Sequence, residues 1–297
     1  MRKAFDNADA VLVVGASMFT WFLHAPGTAI PSGLPIVQVG DDPWEAGKSH
    51  PVPVTIVADV AATLRAIDER LAARTTDAQR AAARRRLDDM RTARDGLAEQ
   101  TRSAADAERM PISQAFLMHT LGSLMPRDAV VVDESATSLG HVFRYLPMSA
   151  PDSFFGGKSG TLGWGMGAAL GVKLALPDRK VVATIGDGSM MYAPQALWTA
   201  AHHRIAVTYV VPNNSSYAIL KSGMLGLGLP SAKKGIYPGM DLVDPLIDHV
   251  AVARALGVRA ERVEKPGQLR DVLASCLDHP GPSLVDVAID RGFKAMA

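Results

Sequence analysis

Short runs of Val, Ile, Leu and Ala recur along the chain and alternate with longer stretches of helical character. Such nearly continuous apolar runs are typical of parallel strands that are covered on both faces. The predicted strands are Ala10–Val14, Ile36–Val39, Val54–Val57, Ala129–Val132, Val181–Ile185, Ala206–Val211 and Leu284–Ala288. The predicted helices include Ile112–Leu124, Gly165–Leu176, Pro194–His203, Pro245–Leu256 and Gln268–Leu277. This alternation predicts an α/β protein with doubly wound parallel sheets and helices on both faces.

A charged stretch from Arg65 to Arg109 separates two parts of the chain. It contains 11 Arg and 9 Asp or Glu residues and no aromatic side chain, which is typical of a solvated helix and linker. The run Arg84–Arg86 could form a nucleic-acid patch, but acidic residues follow it directly. The sequence therefore predicts an N-terminal α/β part (1–72), a charged helical linker (73–108) and a C-terminal domain (109–297).

Composition and charge exclude several classes of protein. The balance of Lys+Arg 31 against Asp+Glu 30 leaves a formal net charge of +1, whereas nucleic-acid-binding proteins usually carry a basic excess. Cys276 is the only cysteine, which excludes an internal disulfide framework and a Cys-rich metal site. Asp6 and Asp9 interrupt the N-terminal region that could pass for a signal peptide, and no apolar run is long enough to span a membrane. We expect a cytoplasmic protein with no membrane and no nucleic-acid partner.

Two short polar motifs follow two of the predicted strands directly. Gly186-Asp187-Gly188 comes after Val181–Ile185, and Asn213-Asn214 comes after Ala206–Val211, with 24 residues between Gly188 and Asn213. Because parallel strands end at the same edge of a sheet, the side chains of Asp187 and Asn214 can converge there. A carboxylate, an amide oxygen and a nearby backbone carbonyl form an all-oxygen site that suits Mg²⁺. The glycines allow backbone N–H groups to approach phosphate oxygens closely.

These motifs resemble the hallmark of the thiamine-diphosphate-dependent 2-oxo-acid decarboxylase and acetolactate synthase superfamily. A second matching segment is Gly156–Gly171, and the patterns at Leu197–Ala201 and Asn213–Tyr217 look most like benzoylformate decarboxylases. The resemblance implies that residues 109–297 form a thiamine diphosphate-binding domain and that residues 1–72 form part of a Rossmann-like middle domain. It also implies a lyase that decarboxylates a 2-oxo acid, or a carboligase, with thiamine diphosphate and Mg²⁺ as cofactors.

The resemblance implies roles for individual residues. The Mg²⁺ ligands would be Asp187, Asn214 and the backbone carbonyl of Ser216. Leu162 would support the bent conformation of the cofactor, and the carbonyl of Gly160 would face its exocyclic amine. Further implied cofactor contacts are Thr137, Ser138, Gly186, Gly188, Ser189, Asn213 and Tyr217.

Three segments allow a simpler interpretation beside a functional one. The segment Glu134–Ser138 contains two of the implied diphosphate contacts, but it could also be only a helix start that Asp133 or Ser135 caps. Val11–Ser17 reads as a scaffold turn, with the FAD site of acetolactate synthase relatives as the alternative. His202-His203 reads as the end of a helix, because adjacent helical side chains point about 100° apart and cannot easily share a metal ion.

Two departures from the family pattern concern catalysis. The family's pyrimidine-binding domain has no counterpart in this sequence, and neither has the glutamate that activates the cofactor. The family's proton-transfer histidine would align near Phe22, and His24 is the candidate in this chain. Phe22 and Leu220 are the expected substrate-pocket residues. We therefore expect either a homo-oligomer or a partner chain that carries the missing domain. The alternatives are part of an acetolactate synthase-like large subunit, or a cofactor-binding subunit that is inactive alone.

Overall fold

A computed structural model of the chain describes residues 5, 8–18, 30–104, 109–157 and 160–295. The chain divides into two compact units, Met1–Arg94 and Asp95–Ala297. Each unit contains one parallel β-sheet. The α/β class and the parallel sheets that the sequence predicts are therefore confirmed.

The first unit contains a small three-stranded sheet. Its strands are β1 (Val11–Val14), β2 (Ile36–Gly40) and β3 (Val54–Val57), with β2 in the centre. A limited apolar core packs on this sheet around Met18 and Ile30. Small cores of this kind contribute modest stability, because little apolar area leaves water.

The charged stretch after β3 is helical. Helix α1 (Val60–Arg74) begins at Asp59, whose carboxylate accepts a hydrogen bond from the backbone N–H of Ala62 at 2.7 Å. Helix α2 (Asp77–Ala104) follows after two residues. No residue of α1 is buried, although Val60, Leu64, Ile67 and Leu71 have the spacing of one apolar helix face.

The second unit contains a six-stranded parallel sheet. Its strands are β4 (Val130–Glu134), β5 (Phe154–Gly156), β6 (Val181–Ile185), β7 (Val207–Asn213), β8 (Arg259–Val263) and β9 (Ser283–Ala288). Their spatial order is β5-β4-β6-β7-β9-β8. Strands β6 and β7 are therefore adjacent at the centre of the sheet, and the residues that follow them emerge side by side at one edge.

Helices cover both faces of this second sheet. They are α3 (Gln114–Leu124), α4 (Leu139–Tyr145), α5 (Trp164–Ala175), α6 (Asp187–Met190), α7 (Ala196–His202), α8 (Ala218–Gly226), α9 (Pro230–Lys233), α10 (His249–Ala255) and α11 (Pro266–Leu277). One apolar core includes Met166 and Leu197 from the helices, and the other includes Leu117 and Leu273. In the described part of the chain, no helix is sufficiently long and apolar to cross a membrane.

Several predicted elements differ from the observed ones. Strands β5 and β8 were not expected, and both lie at the two edges of the sheet. An edge strand has more exposed positions, so β8 mixes Arg and Glu with apolar residues instead of forming a continuous apolar run. The helix predicted from Pro245 begins only at His249, because the side chain of Asp248 caps it by accepting from the Ala251 N–H. The other predicted elements are present, with ends that differ by up to two residues.

Candidate metal and cofactor site

The turn after β6 buries a carboxylate that is only half satisfied. Asp187 begins the short helix α6, and this residue is only 5% exposed. Its Oδ1 accepts a hydrogen bond from the N–H of Gly188 at 2.9 Å. Its Oδ2 is buried and has no hydrogen-bond partner in the described structure. Because an unpaired buried carboxylate oxygen is energetically costly, this position suits a bound cation.

The turn after β7 is shaped by two asparagine side chains. Oδ1 of Asn213 accepts hydrogen bonds from the N–H and the hydroxyl of Ser215, at 2.9 and 3.0 Å. Oδ1 of Asn214 accepts from the N–H of Ser216 at 3.0 Å. These bonds hold Ser215 in a left-handed conformation with a φ of 50°, which Asn and Asp side chains commonly support in turns. The backbone of Ser216 therefore lies next to the Asn214 side chain.

The two turns meet at the same edge of the sheet. Strands β6 and β7 pair in register, with Thr184 opposite Val210. Burial raises the pKa of the Asp187 carboxyl above its ordinary value, and the backbone N–H groups of Gly188, Ser215 and Ser216 oppose part of that rise. The structure thus brings together the three residues that the sequence suggests as metal ligands.

The oxygen atoms available in these two turns are ligands that suit a hard cation. Among the described residues, no group of three or more His, Cys, Asp or Glu side chains is placed to bind a metal ion. A metal at these turns would therefore rely on one carboxylate, Asp187, together with amide and backbone oxygens. Such an all-oxygen set fits Mg²⁺ better than Zn²⁺ or other metals that prefer nitrogen and sulfur.

A segment from farther along the chain closes the turn after β7. The N–H of Tyr217 and the hydroxyl of Ser216 both donate to the carbonyl of Met240, at 2.9 and 3.0 Å. The N–H of Leu242 donates to the carbonyl of Ser215 at 2.8 Å. Three hydrogen bonds therefore join residues 215–217 to residues 240–242. Helices α8 and α9 lie between these two segments in the chain.

The sequence did not indicate that a buried histidine, His249, contacts Asp187. His249 is 1% exposed, and its Nε2 lies 3.1 Å from the carbonyl oxygen of Asp187. Its Nδ1 lies 3.4 Å from Nδ2 of Asn213 and 3.7 Å from Oδ2 of Asp286. Arg262 donates to the same Oδ2 at 2.8 Å. Since a carbonyl can only accept, Nε2 carries a proton, and His249 contacts the backbone of the turn after β6 and the Asn213 side chain of the turn after β7.

Glu134 is a second residue that the sequence did not single out. It ends β4, and its carboxylate accepts hydrogen bonds from the N–H groups of Gly163 and Gly165, each at 2.5 Å. Its backbone carbonyl accepts from the N–H of Gly186 at 3.1 Å. Burial raises the pKa of Glu134, although the two glycine N–H groups oppose that rise. One residue therefore contacts both the turn after β6 and the start of α5.

Comparison with known proteins decides which family this arrangement represents. The model of the thiamine pyrophosphate enzyme C-terminal TPP binding domain matches residues 136–287, and that of the thiamine pyrophosphate enzyme central domain matches residues 1–67. The chain belongs to the thiamine pyrophosphate enzyme family. The resemblance inferred from the Gly-Asp-Gly and Asn-Asn motifs is confirmed.

Several relatives of this thiamine pyrophosphate enzyme chain have been described. A benzoylformate decarboxylase of Pseudomonas aeruginosa is 34% identical over 97% of this chain and 50% of its own length. An acetolactate synthase large subunit of Mycobacterium tuberculosis is 30% identical over 97% of this chain and 50% of its own length. The structure of benzoylformate decarboxylase from Polynucleobacter necessarius is similar with a TM-score of 0.79 at 26% identity, covering 99% of this chain and 52% of that one. The chain spans about half the length of the relatives it matches.

The remaining predicted contacts lie at several places in the family's TPP binding domain. Thr137 is partly exposed, whereas Ser138 is buried and its hydroxyl lies 3.3 Å from Oε1 of Gln114. Leu162 and Leu220 are 40% and 52% exposed, and Gly160 has a φ of 69°. Ser189 is buried, next to Gly186. Phe22 and His24 lie outside the described residues.

The helix cap suggested for the segment after β4 is not formed. Ser135 precedes a short 3₁₀ turn, Ala136–Ser138, but no side chain caps it. The Ser135 hydroxyl instead donates to Oδ1 of Asp133 at 2.6 Å, and the Thr184 hydroxyl donates to the same oxygen at 2.6 Å. The alternative of a simple helix cap is therefore not observed, because the buried Asp133 carboxylate accepts from two hydroxyl groups instead. His202, in contrast, is the last residue of α7, as predicted.

The first unit has a cavity of about 180 Å³ at the carboxyl ends of its strands. Gly15 lines it with a φ of 57°, together with Asp41, Asp42 and Glu45. Glu45 is paired with Lys48 at 2.8 Å. Acidic residues at such strand ends can repel a diphosphate or bind a ribose hydroxyl, and the alternative of an FAD site at the turn after β1 stays a prediction.

We expect Gly188→Ala to destabilise the second unit. A Cβ atom at this position would lie 2.6 Å from Cε1 of Tyr217, so the ring must move, at a cost of about 1–3 kcal/mol. Gly167→Ala is the matched control, because a Cβ there has no heavy atom within 4 Å and the residue lies inside α5. That control should gain up to about 1 kcal/mol from helix propensity. Thermal unfolding of both variants tests this expectation, and equal melting temperatures would contradict it.

Proposed function

We propose that this chain supplies the metal and diphosphate half of the active site of a thiamine diphosphate- and Mg²⁺-dependent enzyme that acts on 2-oxo acids. The single observation that carries the proposal is the buried, unpaired Oδ2 of Asp187. It lies between two turns of a TPP binding domain, where a cation would supply the missing partner. We propose Asp187, Asn214 and the Ser216 carbonyl as the Mg²⁺ ligands.

The diphosphate would be held mainly by backbone groups of the same turns. The glycines that flank Asp187 leave room for a phosphate to approach, and a backbone N–H can donate to its oxygens. Of the two hydroxyl residues after β4, Thr137 is the better candidate for a contact with the diphosphate, because the Ser138 hydroxyl already donates to Oε1 of Gln114. The further residues proposed for cofactor contact are Ser138, Gly160, Leu162, Gly186, Gly188, Ser189, Asn213 and Tyr217.

The chain's own contribution to the reaction is binding, orientation and exclusion of water. When bound, thiamine diphosphate supplies the carbanion-stabilising chemistry that a decarboxylation or carboligation needs. Leu162 and Leu220 present exposed apolar surface, and they would cover the reacting atoms and lower the local dielectric constant. We keep Phe22 as a second proposed pocket residue and His24 as the proposed proton-transfer group.

A complete site would need a second polypeptide segment. The chain covers about half of its relatives, and no residue in it matches the family's activating glutamate. We propose that a pyrimidine-binding domain, carried by the same polypeptide or by a partner chain, contributes that glutamate. In a homo-oligomer, the metal and diphosphate site of one chain would then face the pyrimidine-binding domain of another.

We propose an aromatic 2-oxo acid as the substrate and decarboxylation as the reaction. The support is the similarity to benzoylformate decarboxylase of Pseudomonas aeruginosa and to the 4-hydroxybenzoylformate decarboxylase structure of Rhodococcus jostii, which has a TM-score of 0.76 at 28% identity. That structure covers 98% of this chain, which covers 50% of it. The acetolactate synthase relatives support carboligation as the second candidate.

A substrate panel tests this assignment. The chain, complemented with a pyrimidine-binding domain, thiamine diphosphate and Mg²⁺, should release CO₂ faster from benzoylformate and 4-hydroxybenzoylformate than from pyruvate. Chromatography of the products separates aldehydes from carboligation products such as acetolactate. A panel with cofactor bound but no CO₂ released would reject the decarboxylase, and acetolactate as the main product would favour the second candidate.

A further inference from the structure

The N terminus of α5 is capped by a side chain from a different element. Its N-cap residue is Gly163, which has a φ of 94° and no side chain of its own to cap the helix. Oε1 of Glu134 accepts from the N–H of Gly163, and Oε2 accepts from the N–H of Gly165. A carboxylate is favoured there by both the free N–H groups and the helix dipole. Both oxygens of Glu134 are therefore committed to this helix end.

The close approach depends on glycine at both positions. A Cβ at Gly165 would lie 2.8 Å from Oε2 of Glu134 and 2.9 Å from Cδ1 of Ile185. A Cβ at Gly163 would lie 2.8 Å from Cβ of Tyr192, and the positive φ there already disfavours other residues. The two N–H groups reach the carboxylate only because neither residue has a side chain.

The capped helix end carries the segment Gly160–Gly163, which precedes α5 directly. The chain before this segment also returns to α5, since a Cβ at Gly157 would lie 2.5 Å from Nε1 of Trp164. The backbone carbonyl of Glu134 meanwhile accepts from Gly186, at the start of the Asp187 turn. Glu134 thus fixes the distance between Gly160–Gly163 and the proposed metal site.

We propose that Glu134 is a positioning residue: it holds the segment Gly160–Gly163 in place relative to the metal and diphosphate site. This inference rests on the function proposed above, in which Gly160 and Leu162 contact the pyrimidine half of thiamine diphosphate. Loss of the Glu134 carboxylate should therefore weaken recognition of the pyrimidine half and spare recognition of the diphosphate half.

The test compares two ligands on the full chain by calorimetry with Mg²⁺ present. Glu134→Gln replaces one acceptor oxygen with an NH₂ group that faces an N–H donor. Its affinity for thiamine diphosphate should fall by about 10- to 100-fold, as expected for a lost charge-assisted hydrogen bond, whereas its affinity for inorganic diphosphate should stay within about twofold. Glu261→Gln is the control, because Glu261 is a partly exposed carboxylate on β8 at the far edge of the same sheet.

A second variant and a second measurement guard against misfolding. Gly165→Ala disturbs the same contact from the helix side and should give the same selective loss. Hydrogen exchange should be faster in Glu134→Gln by about 10-fold or more at whichever of the Gly163 and Gly165 amides loses its acceptor oxygen, because a hydrogen bond to a charged group contributes about 1.5–3 kcal/mol. Exchange at both amides should be unchanged in Glu261→Gln.

The outcomes separate this inference from the proposed function. If the wild-type chain binds neither ligand, the proposed function fails and this inference fails with it. If the wild type binds both ligands and Glu134→Gln loses both equally, or loses neither, only the role of Glu134 is overturned. Unchanged exchange at the two glycine amides would also overturn it.

Discussion

Replacement of Asp187 by alanine should abolish Mg²⁺-dependent binding of thiamine diphosphate. We expect affinity to fall by more than about 100-fold, because loss of a residue that only orients a metal ligand already costs about 10- to 100-fold. Asp187 is also the only anionic ligand proposed for the ion. The metal-free variant should keep its stability, since it loses a buried carboxylate whose Oδ2 has no partner in the described structure.

Calorimetry and thermal unfolding measure both parts of this expectation. At a cofactor concentration of about 100 times the wild-type Kd, the wild type should gain about 2.7 kcal/mol of stability on binding, and Asp187→Ala should gain less than about 0.4 kcal/mol. Asn214→Ala should weaken binding less, because it removes a neutral ligand. His202→Ala is the control, since His202 ends α7 and its ring stacks on Trp198 with centroids 4.7 Å apart. Equal affinities of the wild type and Asp187→Ala would reject the site.

The purified chain alone should decarboxylate 2-oxo acids very slowly. Its relatives are about twice its length, and the family's activating glutamate has no counterpart in this sequence. Without that proton-transfer partner, the rate should be lower by about 10²–10⁴. CO₂ release from benzoylformate, measured with and without a pyrimidine-binding domain added in trans, tests this expectation.

Two controls complete that experiment. A pyrimidine-binding domain whose activating glutamate is replaced by glutamine should bind but restore little activity. The Asp187→Ala chain should stay inactive with the intact domain. Full turnover by the chain alone would show that the active site is complete without a partner, and the half-site proposal would be wrong.

The interior strands could be predicted from the sequence because both of their faces are buried. Strands β6 and β7 are mostly apolar, and every residue in them is buried. The edge strands β5 and β8 of the second sheet could not be predicted in this way, because β5 has only three residues and three of the five residues of β8 are charged. The hydrophobic pattern therefore finds strands with continuous apolar runs, including β1 and β3, although most residues of those two strands are partly or fully exposed.

The proposed metal ligands could be predicted for a topological reason. Asp187 and Asn214 each follow a recognisable strand, and parallel strands bring the residues at their ends together. Glu134 and His249 could not be predicted, because each contacts backbone groups from a distant part of the chain. The N–H of Gly163 lies 29 residues from Glu134, and the carbonyl of Asp187 lies 62 residues from His249. Local patterns carry no information about contacts of this kind.

The hydrogen bonds between residues 215–217 and 240–242 have a consequence for how this scaffold can diversify. They bring together the two ends of an excursion that contains α8, α9 and Leu220. An excursion whose ends are already joined can be lengthened cheaply, since each doubling of a loop costs only about 0.6 kcal/mol in closure entropy. Insertions and substitutions within this excursion can reshape the surface around Leu220 while the backbone at Asn214 and Ser216 keeps its geometry. Under the proposed function, in which Leu220 faces the substrate and Asn214 and Ser216 hold the metal, substrate preference would therefore evolve separately from the cofactor site.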